Sequence, residues 1–238
     1  MHTAAFFDLD GTLLTVNSGR LWAEAERRGR RITREQMAWA MAYLAAYKLG
    51  AIDLERAMLQ AVRTLVGTFE ASLRARTHEW YDSDVRRHAA PGAFGAIADH
   101  REKAHRLVLL TSSSSYASER AIEHFGLEAA IATRFEVADG RFTGGLLRPI
   151  CYGAGKVALA ESFAREHEID LARSYFYTDS ITDRPMLERV GNPRVVHPDP
   201  RLRLLAIRRG WPVLDWRATN RSDRATNARG HVASRWFR

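Results

Sequence analysis

Two carboxylates, Asp8 and Asp10, follow a short apolar run, Ala4–Phe7, near the start of the sequence. Such a run predicts a buried strand, and ligands of open α/β sheets bind beyond the carboxyl ends of the strands. Two carboxylates there can divide the work of phosphoryl transfer, because one attacks phosphorus while the other moves protons. Asp8 is the predicted nucleophile and Asp10 the predicted acid and base, although an Asp-Gly turn or a helix cap would explain the same residues structurally.

Four residues carry groups that suit a phosphate. Gly11 lets the chain turn sharply and brings its amide toward a phosphate oxygen. The run Leu107–Leu110 leads into Thr111 and Ser112, and a hydroxyl followed by amides at a helix N-terminus forms a phosphate cradle, unless it only caps the helix. Lys156 opens a predicted helix, where a cation opposes the helix dipole unless an anion lies nearby; a solvated surface lysine is the alternative. These four residues are the predicted phosphate contacts.

A second acidic pair, Asp179 and Asp183, follows the apolar run Tyr175–Tyr177. Carboxylates suit a hard cation such as Mg²⁺, which takes oxygen ligands and keeps several waters. Zinc is disfavoured, because the chain has one cysteine and no histidine pair at ligand spacing. Helix capping by either aspartate is the structural alternative. Asp10 must be protonated for its first step, so these two aspartates, Asp8 and Asp10 are expected to titrate as a coupled set.

The elements that position these groups alternate between strands and helices. Four apolar runs without alternation predict strands that are covered on both faces. These runs are Ala4–Phe7, Leu107–Leu110, Tyr175–Tyr177 and Val195–Val196. Helices are predicted at Ser115–Phe125, which ends at Gly126, and at Lys156–His167. The predicted fold class is therefore α/β, with a doubly wound parallel sheet.

The segment between the first two predicted strands, residues 18–88, is too long for a simple crossover. Because long loops without structure are rare, it predicts a small helical cap inserted after the first strand. Residues 1–17 and 89–216 are the predicted core. Residues 217–238 form a basic tail without periodicity, which predicts a mobile segment.

Two local patterns add detail. Thr33 and Gln36 form a capping-box pattern at a helix start, and Asp53 is a candidate cap for the helix that follows. Within residues 134–143, the pair Asp139-Gly140 predicts a tight β-hairpin.

The charge of the chain is concentrated at one end. The net charge is +8, and residues 217–238 hold six arginines and one acidic residue, so that segment accounts for +5 and the remainder for +3. Aromatic residues are not interleaved there as stacking platforms, so no nucleic-acid partner is expected. One cysteine, no signal sequence and no membrane-spanning run together favour a cytoplasmic protein.

The four chemical segments, taken together, resemble the motifs of the haloacid dehalogenase superfamily. They are Asp8-Leu9-Asp10-Gly11-Thr12, Thr111, Lys156 and Asp179-Ser180-Ile181-Thr182-Asp183. More narrowly, the chain is similar to the phosphoserine phosphatase-like subfamily, subfamily IB, whose later segments look like residues 135–144 and 192–213. The likeness covers Ala4 to Trp216.

This resemblance implies Mg²⁺ as the cofactor and an aspartyl-phosphate intermediate on Asp8. The metal ligands it implies are the carboxylates of Asp8 and Asp179 and the carbonyl of Asp10. Asp183 is implied to support the metal's waters and Lys156. The helical insertion after the first strand resembles the first cap type of the superfamily.

Two positions depart from the family pattern. Arg184 stands beside Asp183 where relatives usually have an apolar residue, and it is therefore a candidate to weaken or reorient that carboxylate. Asn17-Ser18 replaces the Asp-Ser pair that often follows the first motif, which bears on contacts at the cap hinge or with substrate.

The expected function is hydrolysis of a small phosphomonoester, with phosphoserine or a similar amino-alcohol phosphate as the leading substrate. Another metabolite phosphate or a lipid phosphate is the alternative, and a catalytically impaired phosphate-binding protein is a third interpretation. Apolar residues of the cap suit a substrate pocket, a membrane surface, core packing or a homodimer contact. They are Trp39, Met41, Tyr43, Leu44 and Tyr47.

Overall fold

A parallel sheet forms the centre of the structure, a computed structural model that describes residues 1–48 and 54–217. Its strands are β1 (Ala4–Phe7), β2 (Arg106–Ser114), β3 (Ala129–Thr133), β6 (Tyr175–Thr178), β7 (Asn192–Val196) and β8 (Val213–Leu214). Within the described residues the strand order is β3-β2-β1-β6-β7-β8, and every neighbouring pair is parallel. The predicted doubly wound parallel sheet is confirmed.

The register of the central strands brings the predicted chemistry to one edge of this sheet. Phe7 pairs with Leu109 on β2 and with Tyr177 on β6. The polar residues that follow these partners along the chain lie together, because the carboxyl ends of parallel strands meet at one edge.

Helices cover both faces of the sheet. Ala5 and Phe7 face α5 (Pro91–Glu102) and α6 (Ser115–Phe125), whereas Ala4 and Phe6 face the other helical layer. That layer consists of α7 (Ala154–Glu166), α8 (Arg184–Arg189) and α9 (Pro200–Arg209). Successive residues of a strand point to opposite faces, and all four residues of β1 are fully buried. The apolar run of β1 therefore lacks alternation because both of its faces are covered.

The cap segment is helical, as predicted. Its helices are α1 (Ser18–Arg28), α2 (Arg34–Lys48), α3 (Leu54–Arg63) and α4 (Glu70–Trp80), followed by a π-helical turn (Tyr81–Val85) and a 3₁₀ turn (Arg86–His88). The capping box at α2 is confirmed: the Thr33 amide donates to Gln36 Oε1 at 2.8 Å, and the Gln36 amide donates to Thr33 Oγ1 at 3.1 Å. The predicted Asp53 cap and the tail beyond Arg217 lie outside the described residues, as do the side chains of Tyr43, Leu44 and Tyr47.

The predicted hairpin is confirmed as β4 (Phe135–Ala138) and β5 (Arg141–Leu146). Asp139 and Gly140 in its turn have φ angles of 50° and 71°, the positive values that a type I′ turn requires. The hairpin packs against the cap rather than joining the main sheet. The Gly67 amide donates to the Phe142 carbonyl at 2.9 Å, and the Phe142 amide donates to the Thr68 carbonyl at 3.1 Å. The hairpin therefore links the chain of the core to the cap.

Some elements differ from the sequence predictions. Strand β2 continues to Ser114, so Thr111 and Ser112 lie within a strand and do not begin a helix. Strands β3 and β8 were not predicted, since β3 is rich in alanine, a weak strand former, and β8 has only two residues. Helix α7 starts at Ala154, two residues before Lys156. Helix α6 has the predicted bounds, and Gly126 ends it in the left-handed conformation.

Candidate active site

Lys156 connects two of the predicted acidic residues. Its Nζ donates to Asp8 Oδ1 and to Asp183 Oδ2, both at 2.8 Å. All three residues are buried. Asp8 follows β1, Lys156 lies in the first turn of α7 and Asp183 precedes α8, so the sheet and two helices position one ion-paired cluster. The helix that begins near Lys156 therefore places an ammonium among carboxylates, which offsets its unfavourable interaction with the helix dipole.

Asp183 is held by a second donor that the sequence analysis did not identify. Thr178, the last residue of β6, donates its hydroxyl hydrogen to Asp183 Oδ2 at 2.7 Å. With Lys156 it fixes the orientation of that carboxylate. The position of Thr178 directly before Asp179 was visible in the sequence, but its contact depends on the turn that follows β6.

Arg184 lies on the outside of this cluster. Its Nε donates to Glu188 Oε1 at 3.0 Å on the exposed side of α8, and its side chain is about half exposed. Arg184 is thus adjacent to Asp183 in sequence, while its ionic partner lies one helical turn further along the chain.

The predicted acid and base, Asp10, faces the start of the cap. Its Oδ1 accepts a hydrogen bond from the Ser18 amide at 2.9 Å, and its Oδ2 accepts one from Asn17 Nδ2 at 3.4 Å. The Ser18 hydroxyl in turn lies 3.3 Å from that of Ser113 on β2. The first helix of the cap therefore begins in contact with Asp10.

Gly11 allows Asp179 to approach the first motif. The φ angle of Gly11 is +74°, and a Cβ atom at this position would lie 2.5 Å from Asp179 Cγ. Any other residue would be strained and would collide with the carboxylate. The Gly11 amide, the predicted phosphate donor, donates to the Val16 carbonyl at 3.2 Å in this structure.

The predicted hydroxyl cradle lies on the neighbouring strand. Thr111 is buried, and its Oγ1 accepts a hydrogen bond from the Ser113 amide at 3.1 Å. Ser112 is partly buried beside it. The pairing of β2 with β3 shifts register between Leu110 and Ser114, and such irregularities often turn side chains toward a site.

The cluster carries more negative than positive charge. Burial raises the pKa of Asp8 to about 7, with Asp183 adding to the rise and Lys156 opposing it. Burial also raises the pKa of Asp179 well above its usual value, and repulsion from Asp8, Asp183 and Asp10 adds to it. Burial alone would lower the pKa of Lys156, but the two carboxylates outweigh it and raise that pKa. The deprotonated cluster is therefore short of positive charge.

A magnesium ion fits the residues at this edge. The close approach of Asp179 over Gly11 brings an oxygen donor to the first motif, and the excess negative charge favours a cation. In the described ranges, no group of three or more His, Cys, Asp or Glu side chains could by itself hold a metal ion. Mg²⁺ does not need such a group, because it keeps several waters and binds through one or two carboxylates.

Comparisons with known proteins show which family the chain resembles. A family model described as haloacid dehalogenase-like hydrolase matches residues 5–188. A phosphoserine phosphatase of Mycobacterium tuberculosis is 30% identical over 228 residues, covering 94% of this chain and 74% of that protein. A histidinol-phosphatase of Neisseria meningitidis is 26% identical over 222 residues, covering 91% of this chain and all of that protein.

A solved structure from Bordetella pertussis, a protein of unknown function, superposes with a TM-score of 0.81 and 30% identity. The match covers 91% of this chain and 99% of that one. No helix in the part of the chain that the structure describes has the length and apolar character needed to cross a bilayer.

Proposed function

The chain belongs to the haloacid dehalogenase-like hydrolase family, and we propose that it is a Mg²⁺-dependent phosphomonoesterase that works through a phosphorylated Asp8. Its class is that of a phosphoric monoester hydrolase, in line with relatives named as phosphatases. The observation that carries the mechanism is the buried bridge from Lys156 to Asp8 and Asp183, at 2.8 Å on each side.

The positions of the residues support the following proposed roles. Asp8 attacks phosphorus, and Asp10 gives a proton to the departing ester oxygen. Asp10 then takes a proton from the water that hydrolyses the acyl-phosphate. Thr111, Ser112 and Lys156 hold the non-bridging oxygens of the phosphate.

The cofactor would be held by the carboxylates of Asp8 and Asp179 and by the carbonyl of Asp10. A bound Mg²⁺ supplies positive charge that reduces repulsion between a carboxylate nucleophile and a phosphate dianion. Asp183, fixed by Lys156 and Thr178, would orient the outer ligands. Gly11 shapes the loop. Its amide can donate to a phosphate oxygen only if its hydrogen bond to the Val16 carbonyl is broken when substrate binds.

We propose an amino-alcohol phosphate as the substrate class. Two relatives are named for phosphoserine and for histidinol phosphate. Both compounds are primary phosphate esters with an amino group on the neighbouring carbon, although their remaining substituents differ in charge. A substrate that contains this shared part, a primary phosphate ester beside an amino group, is therefore better supported than a lipid phosphate.

The function is tested with purified protein, Mg²⁺ and a panel of phosphate esters. Phosphate release is expected from phosphoserine or histidinol phosphate at a higher kcat/KM than from matched esters without the amino group. Activity is expected to disappear with EDTA, to return with added Mg²⁺, and to be lost in Asp8→Asn. A wild-type protein that binds phosphate analogues but hydrolyses no ester would favour the binding-protein alternative. A preference for micellar lipid phosphates would contradict the substrate class alone.

A further inference from the structure

Asn17 makes two hydrogen bonds in opposite directions from one amide group. Its Oδ1 accepts a bond from the Arg20 amide at 2.9 Å and thereby caps α1. Its Nδ2 then faces the other way and donates to Asp10 Oδ2 at 3.4 Å. The capping bond thus fixes which end of the Asn17 side chain is presented to Asp10.

The other oxygen of the same carboxylate is also fixed by this helix start. The amide of Ser18, a buried residue, donates to Asp10 Oδ1 at 2.9 Å. Two donors from adjacent residues therefore hold both oxygens of Asp10. A carboxylate bound at both oxygens has little freedom to rotate, so its orientation depends on the start of α1.

We propose that Asn17 is a positioning residue that aims the carboxyl group of Asp10 at the departing oxygen of the ester. The role of Asn17 rests on the proposed phosphoryl transfer through Asp8. As Asp8 forms its bond to phosphorus and the ester P–O bond breaks, the proton of Asp10 passes to the departing oxygen. Misdirection of Asp10 slows this step most when the departing oxygen is a strong base that needs the proton.

Capping and positioning can be separated by substitution. Asn17→Ser keeps a good helix cap, because serine and asparagine cap with similar strength, but it removes the amide donor that reaches Asp10. Thr33→Ala does the reverse: it removes the hydroxyl that caps α2 and leaves the contacts of Asp10 in place. The two variants form a matched pair within the same cap.

The test compares two esters of similar size and different leaving-group basicity, phenyl phosphate and p-nitrophenyl phosphate, with Mg²⁺ present. Asn17→Ser is expected to lower kcat/KM for phenyl phosphate about tenfold and to change that for p-nitrophenyl phosphate by less than about threefold. Thr33→Ala is expected to lower the melting temperature while leaving the ratio of the two kcat/KM values unchanged. Asn17→Thr, which also caps a helix, repeats the measurement if the serine variant does not fold.

The outcomes separate the two proposals. The positioning role alone would be overturned if the unmutated enzyme is active and both Asn17 variants keep its ratio of the two kcat/KM values. Equal losses on both esters would also overturn it, because a general structural defect does not depend on the leaving group. A wild type that hydrolyses neither these two esters nor phosphoserine and histidinol phosphate would overturn the proposed function together with the role of Asn17.

Discussion

At the scale of single residues, two glycines with similar backbone conformations allow the effect of backbone strain to be distinguished from that of a steric clash. Gly11 and Gly67 have φ angles of +74° and +77°, yet a Cβ at Gly11 would meet Asp179 while one at Gly67 would meet nothing within 4 Å. Gly67→Ala is therefore expected to lower the free energy of unfolding only by the backbone strain, about 1–2 kcal/mol. Gly11→Ala is expected to lose most activity and to need more Mg²⁺, measured by titrating the metal against activity. Equal behaviour of the two variants would contradict the assigned role of Gly11.

Two cations near Asp183 provide a second comparison. Lys156 contacts Asp183 directly, whereas Arg184 is paired with Glu188 on the exposed side of α8. Lys156→Met is expected to lower kcat by roughly 100-fold or more, because it removes a fixed positive charge from the proposed phosphate site. Arg184→Met is expected to leave both kcat and the Mg²⁺ requirement near wild type. A marked change in the arginine variant would show that its side chain does perturb Asp183.

The sequence indicated the main groups of this candidate site but not the contacts that orient them. Asp8 and Lys156 stood at recognisable positions after a strand and at a helix start, and the structure brings them together. The donation from Thr178 to Asp183 depends on the path of a turn. The effect of Asn17 depends on the rotation of its amide, which only the capping bond to Arg20 decides.

At the scale of elements, helix α5 is joined to β6 by a buried histidine. His100 lies 2.8 Å from the Tyr177 hydroxyl through Nε2 and 2.8 Å from His105 Nδ1 through Nδ1. Burial lowers the pKa of His100 to about 3, and the neighbouring His105 and Lys103 add to the effect. The folded protein therefore excludes a proton that the unfolded chain binds below about pH 6.5.

The buried, neutral His100 predicts that part of the protein's stability is lost in acid. The stability that neutral His100 contributes is present above its ordinary pKa and is lost as the pH falls toward about 3. His100→Gln is expected to be less stable than wild type at neutral pH, with the difference narrowing in acid. Chemical unfolding at several pH values measures this, and His2→Gln, at an exposed position, is the control. A difference that stays constant with pH would contradict the assignment.

Elements that end or turn at a clear local sequence signal were predicted correctly. The bounds of α6 followed from its Gly126 cap, and the hairpin turn followed from Asp139-Gly140. Strand β3 could not be predicted from its alanine-rich residues, because its pairing with β2 in the sheet stabilises it rather than its own propensity. For the same reason the polar end of β2 did not look like a strand.

At the scale of the whole molecule, the raised pKa values of Asp8 and Asp179 would link folding to the proposed binding of Mg²⁺. Without metal, the folded state holds protons that the unfolded chain has released, so stability falls as the pH rises from about 4 toward 7. The proposed Mg²⁺ would replace those protons. The increase in melting temperature on adding Mg²⁺ is expected to be larger at about pH 8 than at about pH 5.

Differential scanning calorimetry with and without Mg²⁺ measures this increase. Asp8→Asn is the control, because it lacks the carboxylate that exchanges a proton for the metal and is expected to show a smaller increase. Equal increases at both pH values in the wild type would mean that the acidic cluster is not where the ion binds.

The most direct test of the account is detection of a phosphoryl group on Asp8. Asp10→Asn is expected to accumulate the phosphorylated enzyme from p-nitrophenyl phosphate, because this leaving group needs little protonation while hydrolysis of the intermediate needs the base. Rapid acid quenching followed by peptide mass spectrometry should find the phosphoryl group on the peptide that contains Asp8, and none in Asp8→Asn. Turnover without any phosphorylated peptide, or phosphorylation at another residue, would contradict the central claim.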